Sequence, residues 1–303
     1  MCLIFLAHDC HPDYRLILAS NRDEFYARPT ESAGFWEDHP GVFGGRDLEQ
    51  GGTWLGMTRS GRFATVTNFR DPEEFTRKGL SRGLLLKDLL TGPLPVADFL
   101  ARLQSGGSHG GESESARPAD PDASAGDDAG QTQDRFDAQK YNGFNLLSGD
   151  LVGDGGLYWH SNKAPRQLPH RLVAGVYGLS NHLLDTPWPK VVAGRTAFTQ
   201  IVAGAKSEGA ADWLRRPDVF FDLLADSTTA PDAALPDTGI GLEKERFLSS
   251  RFIQSDVYGT RASSLLLVRR DGLLTFFERR FEAGGKTTGD SRYEFQLGGA
   301  SGA

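Results

Sequence analysis

A chain of 303 residues, 39% of them hydrophobic, is long enough to bury a full core without disulfides or a structural metal. Its 33 basic and 40 acidic residues give a net charge of −7, which disfavours nucleic acid and anionic lipid as partners. No apolar run approaches the length of a membrane span, and two cysteines are too few for a disulfide framework. We therefore expect a cytoplasmic protein without a membrane span, with both cysteines reduced.

Apolar runs predict strands along most of the chain. The expected strands are 2–7, 15–20, 53–58, 62–67, 143–149, 156–161, 171–180, 263–270 and 273–281. The expected helices are 81–90, 94–103, 189–203 and 211–226, the last interrupted or restarted by Pro217. Long strand runs with segregated helices favour an α+β layered domain. A dinucleotide-binding fold is not supported, because the chain has no G-x-G-x-x-G fingerprint.

One segment has nothing apolar to bury. Between Leu103 and Phe136 the chain contains no Val, Ile, Leu, Met or aromatic residue. Such a segment cannot offset its ordering entropy by burial, and so it is expected to stay disordered. We predict a single domain over 1–282, interrupted by a disordered insertion at 104–137 and followed by a C-terminal segment, 283–303, with a flexible end.

The first two predicted strands bring Cys2 opposite a polar cluster. Paired positions of a hairpin have a constant index sum, here about 24 to 25, so Cys2 is expected to face Arg22 and Asp23. Once Met1 is removed, the α-amine of Cys2, with a reference pKa of about 7.7–8.0, suits the role of general base for its own thiol. The pattern indicates N-terminal nucleophile catalysis, although a buried structural cysteine fits it as well.

Eight ordered motifs carry a family resemblance. They are Met1-Cys2, Asn21-Arg22-Asp23-Glu24, Gly44-Gly45-Arg46-Asp47, Gly51-Gly52-Thr53-Trp54-Leu55-Gly56, Thr67-Asn68-Phe69-Arg70, Tyr141-Asn142-Gly143-Phe144-Asn145, Leu179-Ser180-Asn181 with Pro187-Trp188-Pro189-Lys190, and Tyr258-Gly259-Thr260-Arg261. Together they resemble the NRDE family, whose animal members are called transport and Golgi organisation proteins. That family in turn resembles the cysteine N-terminal nucleophile hydrolases, which include bile salt hydrolases and penicillin V acylase.

The resemblance implies a fold and a set of site residues. The implied fold is a four-layer αββα sandwich of two antiparallel sheets. The implied catalytic set is Cys2 as nucleophile, Asp23 orienting the α-amine, Asn68 and Asn181 as oxyanion donors, and Arg22 and Arg261 as cationic partners. The chain departs from many of those hydrolases at Ser20, where they have an arginine.

Two functions of different classes fit the same cleft. The first is an amidohydrolase that cleaves a non-peptide C–N amide bond through a thioester on Cys2 and requires no cofactor. The alternative is a non-enzymatic carrier or trafficking protein for haem or a lipid-like small molecule, because NRDE relatives have been connected with haem handling and lipid homeostasis. Both take a small molecule as partner.

A haem ligand or a metal site is not singled out by spacing. The conceivable haem ligands are His8, His160, His170 and His182, and no spacing selects one of them. A zinc site built from the histidines and cysteines of the first hairpin is not expected, because C-x5-H-x-C-H matches none of the usual zinc patterns.

Overall fold

The computed structural model describes residues 2–74, 79–106, 135–153, 155–165, 168–208, 213–214 and 216–298. Its strands are β1 (Cys2–His8), β2 (Tyr14–Phe25), β3 (Thr30–Phe35), β4 (Val42–Asp47), β5 (Leu55–Thr58), β6 (Arg62–Asn68), β7 (Phe144–Asp150), β8 (Leu157–Ser161), β9 (His170–Arg171), β10 (Gly175–Leu179), β11 (Tyr258–Arg269), β12 (Leu273–Glu282) and β13 (Lys286–Gln296). Its α-helices are α1 (Arg82–Thr91), α2 (Val96–Gln104), α3 (Pro189–Glu208), α4 (Asp218–Leu224) and α5 (Leu242–Phe247). Most of the insertion predicted at 104–137 lies outside the described residues.

The strands form two antiparallel sheets that face each other. The six-stranded sheet has the order β10-β1-β2-β11-β12-β13, and the seven-stranded sheet runs from β3 to β9 in chain order. Alternating side chains of both sheets meet in one apolar core, to which β1 contributes Ile4 and Leu6 and the facing sheet contributes Phe43, Met57 and Phe63. This core is the central layer of the molecule.

Helices cover the outer face of each sheet. On the six-stranded sheet, α3 and α4 pack over a second apolar cluster that includes Phe5, Phe198 and Phe220. On the seven-stranded sheet, α1 and α2 pack over a third cluster that includes Leu85 and Phe99. The layers therefore follow the order α, β, β, α, and the predicted α+β sandwich of two antiparallel sheets is confirmed.

The strands β3, β4 and β13 were not predicted from the sequence, and one predicted strand is divided in the structure. Half of the residues of β3 and most of those of β13 are polar, because both are edge strands with one face toward solvent. The domain was predicted over 1–282, and β13 continues its six-stranded sheet as far as Gln296. The apolar run 171–180 was predicted as one strand, but β9 and β10 belong to different sheets.

The helices agree more closely with the periodicity of the sequence. The helix α4 begins directly after Pro217, where an interruption was expected. The short helix α5 was not predicted. In the parts of the chain that the structure describes, no helix combines the length and the apolar character needed to cross a bilayer.

Candidate active site

The hairpin of β1 and β2 sets Cys2 beside Arg22. The two residues are direct cross-strand partners, and the same register pairs His8 with Leu16 at the other end of the hairpin. This confirms Arg22 as the residue that Cys2 faces, with Asp23 one position further along β2. Directly paired side chains project from the same face of a sheet, so the thiol and the guanidinium share the inner face of the sandwich.

Asp23 projects from the opposite face, because neighbouring residues of a strand alternate. Its side chain is 2% exposed, and the hydroxyl of Thr260 on β11 donates to its Oδ1 over 2.7 Å. Burial raises the pKa of the Asp23 carboxyl above its usual range. Asp23 therefore does not share a face with the thiol, and its predicted role in orienting the α-amine stays a prediction.

A cavity of about 590 Å³ lies against this end of the hairpin. Its wall comprises Cys2, Arg22, Asp23 and Glu24 from the hairpin, Arg28, Asp47, Glu49 and Gln50 from the loops around β3 and β4, Thr53, Trp54, Val66 and Asn68 from the seven-stranded sheet, and Gly79, Leu80, Ser81, Arg82, Gly83 and Asn142 around the start of α1. Cys2, Arg22, Asp23 and Asn68 were predicted site residues, and the structure brings all four to this wall. Asn181 and Arg261 are not among the described residues that line it.

The two asparagines predicted as oxyanion donors differ in position. Asn68 ends β6 and faces the cavity, whereas Asn181 is fully buried behind it. The Nδ2 group of Asn181 donates to the backbone carbonyl of Asn68 over 3.1 Å, and the backbone N–H of Arg70 donates to the carbonyl of Asn181. These bonds tie the end of β6 to the end of β10, so Asn181 supports the backbone that carries Asn68.

Arg261 holds a loop instead of lining the cavity. It follows Thr260 at an irregularity in the pairing of β11 with β2. Its Nη1 group donates to the backbone carbonyls of Phe25 and Arg28 and to the hydroxyl of Thr30. The guanidinium of Arg22 donates to the same hydroxyl over 3.3 Å, so the two arginines meet at Thr30.

Burial and nearby charges determine whether the thiol of Cys2 is protonated. Burial raises the pKa of Cys2 above its ordinary value, and the positive charge of Arg22 acts in the opposite direction. The net result is a thiol that stays protonated near neutral pH. Nucleophilic attack by its sulfur therefore needs a base to remove the proton.

Lys190 is a charged neighbour of this site that received no role from the sequence. It lies in the first turn of α3, is 6% exposed, and its Nζ donates to the backbone carbonyl of Leu248 over 2.7 Å. Burial lowers the pKa of Lys190 to about 8, while the negative charge of Asp23 works against that shift. The sequence signal that could have identified Lys190 is its place in the motif Pro187-Trp188-Pro189-Lys190, where a cation directly follows an apolar and proline-rich turn.

Tyr258 and Arg70 are further buried groups near Asp23 and Lys190. The Tyr258 hydroxyl donates to the backbone carbonyl of Asp23 over 3.2 Å, and burial raises the Tyr258 pKa well above its ordinary value. Arg70 forms a buried ion pair with Glu245 of α5, and its guanidinium carbon lies 4.6 Å from the ring centroid of Trp188. Glu245 thus neutralises Arg70, which leaves Lys190 and Asp23 as the remaining opposite charges of this cluster.

The histidines considered as haem ligands do not line the cavity as far as the structure describes it. His8 and His160 are buried, His170 is exposed, and His182 packs between the rings of Phe69 and Trp188. Among the described residues, no group of His, Cys, Asp and Glu side chains is placed to hold a metal ion.

The sequence of this chain matches the family model for transport and Golgi organisation 2 over residues 1–283. The chain belongs to this family. The transport and Golgi organization protein 2 homologs of Bos taurus and Homo sapiens are each 33% identical to it, with 98% of this chain and 99% of each relative covered. The protein of that name from Drosophila melanogaster is 31% identical over 92% of this chain and 91% of its own length.

One solved structure has a distant likeness. It is the Caenorhabditis elegans ortholog of N-acylethanolamine-hydrolyzing acid amidase, which matches with a TM-score of 0.36 and 10% sequence identity. The match covers 82% of this chain and 98% of that protein.

Proposed function

We propose that this protein is an N-terminal nucleophile hydrolase that cleaves a non-peptide C–N amide bond through Cys2. The observation that carries the proposal is the cross-strand pair of Cys2 and Arg22 on the wall of the cavity of about 590 Å³. Cavities of roughly 300–1,000 Å³ suit a small organic molecule. A thiol beside a guanidinium in such a cavity is typical of a nucleophile.

The reaction begins with the thiol. After Met1 is removed, the α-amine of Cys2 accepts the thiol proton as the sulfur attacks the carbonyl carbon of the amide. A C–S bond forms, and the electron pair of the carbonyl moves onto its oxygen. The side-chain amide of Asn68 can donate to that oxyanion from the cavity wall.

The second half of the reaction releases both products. Collapse of the tetrahedral species breaks the C–N bond, and the α-ammonium returns its proton to the departing amine. The thioester left on Cys2 is then attacked by a water molecule, which the same α-amine deprotonates. The carboxylic acid leaves, the sulfur is reprotonated, and one water has been consumed for each amide cleaved.

Acylation of Cys2 by an electrophilic probe tests this proposal. Incubation with p-nitrophenyl acetate is expected to release one nitrophenolate per protein in a burst and to leave an acetyl group on Cys2, detected by peptide mass spectrometry. Cys2→Ala is expected to abolish the burst. Cys10→Ala is the matched control, because Cys10 is also half-buried but its thiol points to the carbonyl of Gly175. A burst that survives Cys2→Ala would overturn the proposal.

A carrier without chemistry is the second function, and it stays a prediction. The described part of the cavity wall contains no histidine, so a histidine-ligated haem draws no support from it. A carrier of haem or of a lipid-like molecule is expected to bind its ligand equally well after Cys2→Ala. A haem titration without a Soret shift counts against the haem version.

A further inference from the structure

Trp54, which directly precedes β5, lies between Gly45 of β4 and Arg22 of the opposite sheet. The guanidinium carbon of Arg22 is 3.9 Å from the centroid of the Trp54 ring. A Cβ atom added to Gly45 would lie 2.3 Å from Cη2 of the same ring, a distance that side-chain atoms do not reach without displacement. Only glycine at position 45 therefore lets the ring occupy this place.

The guanidinium of Arg22 has little else to hold it. Its hydrogen bond among the described residues goes to the hydroxyl of Thr30 over 3.3 Å, which is long for such a bond. Arginine side chains have many rotamers, and a flat aromatic face restricts them by stacking with the planar guanidinium. The Trp54 ring thus restricts the Arg22 guanidinium to the cavity wall beside Cys2.

The position of the Arg22 charge affects how readily the thiol of Cys2 ionises. Cys2 and Arg22 are direct cross-strand partners, so their Cβ atoms are roughly 4.5–5.5 Å apart. A cation at this range stabilises a thiolate, and inside a protein the effect weakens quickly as the charge moves toward water. A guanidinium that moves away from the ring would offset the effect of burial on Cys2 less strongly.

We propose that Trp54, packed against Gly45, is a positioning residue that holds the guanidinium of Arg22 beside Cys2 and thereby stabilises the thiolate. Its use in catalysis rests on the proposed function. The reactivity of the thiol is a property of the folded protein and can be measured whether or not the protein turns over an amide.

Other charged and titratable groups also face the thiol, and they fix its absolute pKa. They are the α-amine that Cys2 carries after removal of Met1, Asp23 and Glu24 of β2, Lys190 of α3 and Tyr258 of β11. None of them is changed in the variants below, so the comparison depends on shifts between variants and not on absolute values.

The test is the rate at which iodoacetamide alkylates Cys2 from about pH 6 to 10. Peptide mass spectrometry separates Cys2 from Cys10. Trp54→Leu is expected to raise the apparent pKa of Cys2 and to slow alkylation at neutral pH about three- to tenfold, because each unit of pKa changes the thiolate fraction about tenfold. The rate at the alkaline plateau is expected to stay the same, and Trp54→Phe is expected to restore most of the neutral rate.

A double-mutant comparison isolates the role of the ring. Arg22→Met alone is expected to raise the Cys2 pKa at least as far as Trp54→Leu does. If the ring acts through Arg22, the double variant Arg22→Met/Trp54→Leu behaves like Arg22→Met alone. Additive shifts in the double variant would overturn the proposal.

Trp36→Leu is the matched control for loss of a tryptophan. Trp36 packs on the same sheet and has the guanidinium carbon of Arg46 over its ring at 4.3 Å, but it does not line the cavity. Its variant is expected to keep the wild-type pH profile of Cys2. Gly45→Ala, which displaces the Trp54 ring without removing it, is expected to shift the profile in the same direction as Trp54→Leu.

Two combinations of results distinguish the positioning role of Trp54 from the proposed hydrolase function. A wild-type pH profile in both Trp54→Leu and Gly45→Ala would refute the positioning role even if Cys2 forms an acyl adduct. A clear shift in folded variants, combined with no acyl adduct on Cys2, would support the positioning role and refute the hydrolase.

Discussion

Buried charge surrounds Cys2 at the scale of single residues. Asp23, Lys190, Arg70 and Glu245 are each less than a tenth exposed, and they comprise two acids and two bases. Buried charges of this kind are tolerated when they are paired, and removing one leaves its partner uncompensated. These four charges balance one another and come from distant parts of the chain, and Arg22, 7% exposed, adds a further positive charge directly beside Cys2.

Lys190 makes the free energy of unfolding depend on pH in the alkaline range. Its pKa of about 8 in the folded state is lower than its ordinary value of 10.5. Between these two values the unfolded chain binds more protons, so the free energy of unfolding rises with pH across that window. Below it Lys190 is charged in both states and the cost of burying the charge, a few kcal/mol, is fully present (~1.4 kcal/mol per pKa unit).

Urea denaturation of a Cys2→Ala protein with and without Lys190→Met measures this effect, because the alanine removes the titration of the thiol. The free energy of unfolding of the protein with Lys190, minus that of the Met variant, is expected to increase by about 2 kcal/mol between pH 8 and 10. A difference that stays constant over this range would show that burial does not lower the pKa of Lys190.

At the scale of secondary-structure elements, the close packing of α3 on β1 depends on Gly194. A Cβ atom added to Gly194 would lie 2.1 Å from Cζ of Phe5, and that ring is fully buried against Phe198. Gly194→Ala is therefore expected to lower the free energy of unfolding by about 1–3 kcal/mol through overpacking. Because α3 also carries Lys190, the same substitution is expected to displace Lys190.

Gly204 on the same helix provides the matched control. A Cβ atom there meets nothing within 4 Å. Gly204→Ala is expected to raise the free energy of unfolding by roughly 0.5–1 kcal/mol, since alanine has the higher helix propensity. Opposite signs for the two substitutions in urea denaturation would support the close seating of α3, and a stabilising Gly194→Ala would contradict it.

The elements that sequence reasoning recovered are those with local signals. The hairpin of β1 and β2 has two apolar runs around a short turn, and its register placed Cys2 opposite Arg22. The edge strands β3 and β13 have polar patterns that do not distinguish a strand from a loop. The contacts of Lys190 and Glu245 were out of reach, because tertiary packing brings them to the hairpin from helices far along the chain.

At the scale of the whole molecule, the site forms where the two sheets of the sandwich meet. The six-stranded sheet supplies Cys2 and Arg22, the seven-stranded sheet supplies Trp54 and Asn68, and α1 closes the wall of the cavity. The layered fold and the family were predicted from ordered motifs, and both are confirmed. The size of the cavity and the stacking of Arg22 on Trp54 depend on how the sheets are packed, which no local pattern encodes.

The central claim, that Cys2 acts as an N-terminal nucleophile, is tested most directly by the intact mass of the purified protein. The mechanism requires a free α-amine on Cys2, because an amide nitrogen cannot act as a base. We expect a mass lower by one methionine residue than that of the full translated sequence, with Cys2 as the first residue in N-terminal sequencing. A folded protein that retains Met1 would contradict it.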